Sequence, residues 1–192
     1  MFTQKSAYAL LAHYRAGVAK LVAGDPQDPS TPLASLSSQS ARDGLAKQVQ
    51  TAISHGAKAE TVGKQVPTQG SFYQPTLLTD ISPDNPAYHT EFFGPVSQIY
   101  RVADEEAAIK VANDSPYGLG GSVFSQDVAR AKRVGGQLET GMVYINQPTG
   151  EKADIPFGGV NNSGYGHELI DLGLTEFVNE KLVVVSDIDG SF

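Results

Sequence analysis

The chain has 192 residues, 21 acidic against 14 basic side chains for a formal charge of −7, and no cysteine. The length fits one domain, or one with a small appendage, and supports a real core; the missing cysteine excludes disulfides, thiolate metal sites, iron–sulfur clusters and a thiol nucleophile within these residues. An acidic chain without a basic stripe, a membrane-length apolar run or a signal-like start points to a soluble cytoplasmic protein that binds neither nucleic acid nor membrane.

In chain order, Ser6 to Val22 reads as a helix, because Leu11, Tyr14, Val18, Leu21 and Val22 repeat at helical spacing. Gly24-Asp25-Pro26 stops it, and Gly24 to Leu36 reads as loop. Ser40-Ala41-Arg42-Asp43 resembles a capping box before a helix striped by Ala41, Leu45, Val49, Ala52 and Ile53. Gly56 sits where a left-handed helix terminator belongs. Ala57 to Val62 and Phe72 to Leu78 are strand candidates, the second demoted to an edge or bulge by Pro75. Gln98 to Val102 is a strand, and Asp104 caps a helix ending near Asn113. Gly121 to Phe124 is the next strand. A helix capped by Ser125 or Asp127 then runs to Val134 and stops at Gly135-Gly136, before a strand at Met142 to Ile145. This alternation predicts an α/β fold: a mostly parallel twisted sheet with helices on both faces. A short helix near Leu172 to Val178 and a strand at Leu182 to Val185 close the chain.

Three glycine clusters interrupt these elements: Glu91-Phe92-Phe93-Gly94-Pro95, Pro156-Phe157-Gly158-Gly159 and Ser163-Gly164-Tyr165-Gly166. None has dinucleotide-fingerprint or P-loop spacing, so they read either as turns or as ligand loops beyond strand ends. Glu91 beside two aromatics could hold a ribose hydroxyl while a ring covers the sugar or base; equally, it reads as an acidic residue at a turn. The histidines, His13, His55, His89 and His167, share no metal-ligand spacing with a carboxylate, so no metal is expected. No Gly-x-Ser-x-Gly elbow occurs. The residues alone define an α/β domain with glycine-rich loops and no reaction.

The same clusters carry a resemblance. Glu91-Phe92-Phe93-Gly94-Pro95-Val96, Ala112-Asn113-Asp114-Ser115-Pro116-Tyr117-Gly118-Leu119, Gly141-Met142-Val143-Tyr144-Ile145-Asn146, Pro156-Phe157-Gly158-Gly159, Ser163-Gly164-Tyr165-Gly166-His167-Glu168 and Glu176-Phe177-Val178-Asn179 follow one another as in the NAD(P)-dependent aldehyde dehydrogenases. Gly24-Asp25-Pro26 and Phe72-Tyr73-Gln74-Pro75-Thr76 also fit. The nearest branch resembles bacterial succinate-semialdehyde dehydrogenases. In that family a cysteine thiolate attacks the aldehyde, hydride leaves for the nicotinamide and a glutamate-activated water releases the acid. The resemblance implies that these parts, and the dinucleotide-binding domain, precede the segment in hand. Residues 1–180 then correspond to part of the catalytic domain, and 181–192 to an oligomerisation strand and tail.

The resemblance assigns no catalytic residue here. It implies cofactor contact, to NAD or NADP, for Glu91 at the nicotinamide ribose and Phe93 beside it, with no tight binding by this chain alone. It implies that Phe157 lines the aldehyde tunnel, that Gln147 to Asp154 borders its entrance and that Asn146 is structural. Departures from the pattern are Ala34-Ser35 for Gly-Pro, His167 for arginine and Ile170 for glycine, and Gln147-Pro148-Thr149 lacks an evident cationic anchor. Two readings follow. One is part of a succinate-semialdehyde-type enzyme, inactive alone and completed by an N-terminal half. The other is a non-catalytic, self-associating remnant of a decayed gene. Both predict a homo-oligomer.

Overall fold

A computed structural model describes residues 2–190, with side chains from residue 8 onward. The chain divides into two compact units, 1–111 and 112–192.

In the first unit, β1 (Phe2–Thr3) leads into α1 (Gln4–Val18), which starts earlier and stops sooner than its apolar spacing suggests. The next helix, α2 (Gln39–Ser54), is capped two residues earlier than expected. Ser38, not Ser40, takes the extended cap conformation, and its Oγ accepts from the Ala41 amide at 3.1 Å. Ser40 offers the same chemistry two residues on, but the cap must precede the first helical turn. Leu45, Val49 and Ala52 are buried as the stripe predicts, whereas Ile53 lies at its exposed margin. Gly56, at φ +97°, ends the helix as a residue without a Cβ can.

The strands β2 (Lys58–Thr61), β3 (Thr76–Thr79) and β4 (Val96–Gln98) form one sheet with β3 central. β3 is antiparallel to β2 and parallel to β4. Pro75 is neither an edge nor a bulge. It lies just before β3, where its carbonyl still accepts from the Val62 amide at 2.8 Å. Successive β3 side chains point to opposite faces. Leu78 joins Val49, Ala52, Ala57, Ile81 and Ala87. Leu77 joins Val62 and Ile99, with Leu10, Leu11, Tyr14 and Val18 of α1 packed against them. The sheet is therefore sandwiched between α1 and α2, as the expected helices on both faces require. Burying Leu77 and Leu78 contributes about 1.5–3 kcal/mol each.

The strand expected at Gln98–Val102 is broken. Its end, β5 (Arg101–Val102), pairs in parallel with β1 instead of continuing β4. Asp104 caps α3 (Glu105–Asn113) through the Ala107 amide at 2.9 Å.

In the second unit, β7 (Gly120–Val123), α4 (Val128–Gly135) and β8 (Met142–Ile145) make the predicted parallel crossover, with Gly120 opposite Met142 and Val123 opposite Ile145. Asp127 is the cap of α4, its Oδ1 accepting from the Arg130 amide at 2.9 Å. A short antiparallel pair, β6 (Tyr117–Gly118) with β9 (Val160–Asn161), and α5 (Ile170–Thr175) complete the unit. Among the described residues the ladders thus form four small sheets rather than one.

The strand expected at Leu182–Val185 is not formed. These residues are exposed and pair with no described segment, and an isolated strand leaves its amides and carbonyls without partners. No helix among the described residues is long and apolar enough to cross a membrane.

Candidate functional site

The Glu91–Phe93 loop leaves a 3-10 turn (Pro86–His89) and returns as β4. Its two flanks are tied together from below. Asn85, 3% exposed, caps the turn by accepting the Ala87 amide on Oδ1 at 2.9 Å. Its Nδ2 donates to the Ala52 carbonyl at 2.9 Å and the His55 carbonyl at 3.2 Å, fixing the turn to the end of α2. From the returning flank, Gln98 Nε2 donates to the Ala87 carbonyl at 2.7 Å and to the Tyr100 hydroxyl at 3.2 Å. That hydroxyl donates to the Tyr88 carbonyl at 3.2 Å, and the two tyrosine rings meet edge-on at 5.3 Å. Burial, and secondarily Tyr88, pushes the Tyr100 phenol up to about 12, so it stays protonated and able to donate.

Within the loop the residues divide cleanly. Phe92, half-buried, packs against the core cluster that includes Leu78 and Ala87. Gly94 lies against α2 so closely that an added Cβ would collide with Leu45. Glu91 is exposed, and Phe93 is 76% exposed. The structure therefore brings Glu91 and Phe93 together on the outer side of one anchored loop. An exposed carboxylate accepts hydrogen bonds from hydroxyls, and an exposed ring offers a flat apolar face.

In the second unit, the Asn146 side chain accepts from the Ser125 amide at 2.8 Å and donates to its carbonyl at 2.9 Å. It locks the end of β8, at φ +57°, to the turn before α4, a structural task as the resemblance implied. The Gln147–Asp154 loop is exposed, with the Gly150 carbonyl held by the Tyr144 hydroxyl at 2.6 Å. Phe157 is half-buried, and its backbone exchanges bonds of 3.0 and 2.7 Å with Glu168. The glycines around it are not simply turns. A Cβ on Gly141 would strike Gly158 and Gly159, and one on Gly158 would lie 2.7 Å from the Gly166 carbonyl. Among the described residues no three His, Asp or Glu side chains gather as a metal site.

The model of the "Aldehyde dehydrogenase family" matches residues 1–183. The chain belongs to the aldehyde dehydrogenase family. It is 56% identical over 162 residues to a succinate-semialdehyde dehydrogenase [NADP(+)] of Deinococcus radiodurans, covering 84% of this chain and 34% of that protein. A Mycobacterium avium protein of the same name is 44% identical, covering 85% and 34%. Among solved structures, succinic semialdehyde dehydrogenase from Streptococcus pyogenes in complex with NADP+ superposes with a TM-score of 0.90 at 43% identity, over 95% of this chain and 40% of that one. The chain spans about a third of the length of the curated relatives it matches. The α/β reading and the aldehyde dehydrogenase resemblance therefore both hold. What the sequence did not disclose was Asn85, Gln98 and Tyr100. Asn85 before Pro86 carries a local cap signal, but the carbonyls that Asn85, Gln98 and Tyr100 hold are reached through the fold, and no spacing signals them.

Proposed function

We propose that this stretch of an aldehyde dehydrogenase presents Glu91 and Phe93 to the nicotinamide ribose of NADP, or of NAD, and Phe157 to an aldehyde of the succinate-semialdehyde class. The observation that carries this is the exposed Glu91–Phe93 pair on a loop whose middle residue, Phe92, is anchored in the core. The 56% identity to an NADP-dependent succinate-semialdehyde dehydrogenase supports the substrate class. A bound nicotinamide supplies the hydride acceptor; the chain's own part is to hold the sugar through the Glu91 carboxylate and to shield it with the Phe93 ring.

The 192 residues hold no thiol to attack the aldehyde, and a serine without an adjacent base is a weak nucleophile. The chain alone is therefore inactive, binds cofactor poorly, and needs a polypeptide that supplies the cysteine and dinucleotide-binding parts. The test is to follow reduced cofactor after mixing the chain with succinate semialdehyde and NADP+ or NAD+. No turnover is expected from the chain alone, and turnover is expected once a protein supplying the N-terminal portion is added. Turnover by the chain alone would overturn the reading.

A second reading, a non-catalytic self-associating protein of the cytoplasm, is favoured by the apolar segment at 182–185, where Leu182 and Val185 are 87% and 89% exposed. Exposed apolar surface promotes association, and an unpaired strand-forming segment gains partners from a second copy. Both readings therefore predict a homo-oligomer, and light scattering that finds only monomer removes that part of each. Failure of the added N-terminal portion to restore turnover favours the second.

A further inference from the structure

We propose that Gln98 and Tyr100 are positioning residues that clasp the base of the loop presenting Glu91 and Phe93. The functional weight of the clasp rests on reading those two residues as cofactor contacts.

The loop departs from the 3-10 turn at Thr90 and returns at Val96. Local bonds shape its tip: the Gly94 amide donates to the Phe92 carbonyl at 2.9 Å, and Val96 to Gly94 at 2.7 Å. These define a turn but do not fix where it sits. Location comes from Phe92 against the core, from Gly94 against α2 and from the flanks. The outgoing flank is tied to α2 by Asn85, and the returning flank to the sheet, where Thr76 donates to the Pro95 carbonyl at 2.9 Å. Gln98 and Tyr100 bond one flank to the other, through the Ala87 and Tyr88 carbonyls.

The two bonds also reinforce one another. Gln98 Nε2 donates to the Tyr100 hydroxyl, which in turn donates to Tyr88. A donated bond polarises the next one in a chain, so the pair acts as a unit. Both side chains are only partly buried, so each can be altered without emptying the core. The carbonyls they hold lie three and four residues before Glu91.

The test uses the full chain with Gln98→Met and Tyr100→Phe, which keep side-chain length and ring packing. Amide exchange at Gly94 and Val96, the bonded amides of the loop, should quicken by about tenfold in each, the equivalent of one lost hydrogen bond, while the amides of Leu77 and Leu78 exchange as before. The chain has no tryptophan, so Phe93→Trp gives a single optical reporter. Adding Gln98→Met to it should enlarge the fast component of its fluorescence anisotropy decay. Unchanged exchange at Gly94 and Val96 in both variants overturns the clasp, as does quickening spread equally over the sheet. Glu91→Gln should leave loop exchange as in the wild type and weaken only cofactor contact. Failure of the clasp and failure of the cofactor reading thus appear in different measurements.

Discussion

Replacing Asn85 with alanine removes a buried amide that bonds at both ends. The side chain is 3% exposed, so no bulk water substitutes for it. The Ala52 carbonyl keeps other partners, since the His55 and Ala57 amides also donate to it. The Ala87 amide loses its cap, and the His55 carbonyl loses the Asn85 amide. Leaving a buried polar group unsatisfied costs about 1–3 kcal/mol, and loss of an N-cap typically about 1 kcal/mol. The sum is about 3 kcal/mol, a large share of a domain's usual 5–15 kcal/mol. With a urea slope of about 2 kcal/mol per molar, the midpoint should fall by about 1.5 M, read by tyrosine fluorescence. Asn85→Asp provides the control. It keeps the acceptor for Ala87 but turns a carboxylate toward two carbonyls, which raises its folded pKa above the unfolded value. Its deficit should be greatest at neutral pH and shrink as pH falls through that pKa, when the protonated acid donates again. A midpoint shift under about 0.5 M for the alanine variant, on the same slope, would refute the reasoning.

Two further outcomes follow from the first unit. Hydrogen bonds from Lys58 and then Arg101 hold the Asp80 carboxyl below the usual carboxylate range. That contribution is complete above the unfolded pKa of about 3.9 and disappears as pH falls through the lower folded value, so Asp80→Asn should flatten the acid limb of a stability–pH curve there. Asparagine also tolerates the positive φ of +56° at this position, and an unaltered acid limb would contradict the ion pairs. Gly94→Ala should lower stability by about 1–3 kcal/mol in thermal unfolding, because the new methyl meets Leu45, a side chain only 3% exposed with little room to yield.

Local chemistry was legible in the sequence wherever one residue decides the matter. Asp104 and Asp127 cap helices, Gly56 ends one, and the apolar stripe of α2 faces the core at Leu45, Val49 and Ala52. The choice between Ser38 and Ser40 was not legible, since both offer the same oxygen and only the backbone entering the helix selects between them. Pro75 misled because a proline before a strand and one on an edge strand look alike in sequence. The pairing of β5 with β1 depends on contacts about 100 residues apart. At 182–185 the Leu-Val-Val-Val run is apolar enough for a strand, but a strand is a property of two segments, and no described segment pairs with it. The Glu91–Phe93 pair was marked by its neighbours in sequence; the residues that hold it were not.

The glycines at 141, 158 and 159 meet other parts of the chain through their backbones. At Gly141 the neighbours are main chain alone, while Gly158 also meets the His167 ring and Gly159 the Ser163 side chain, so none of the three positions has room for a side chain of its own. Diversification around Phe157 is thereby pushed into the exposed 147–154 segment, whose tip residue Gly150 has open space around it. Substitutions meant to keep the fold should be placed there, and should leave the glycine-packed stretch untouched.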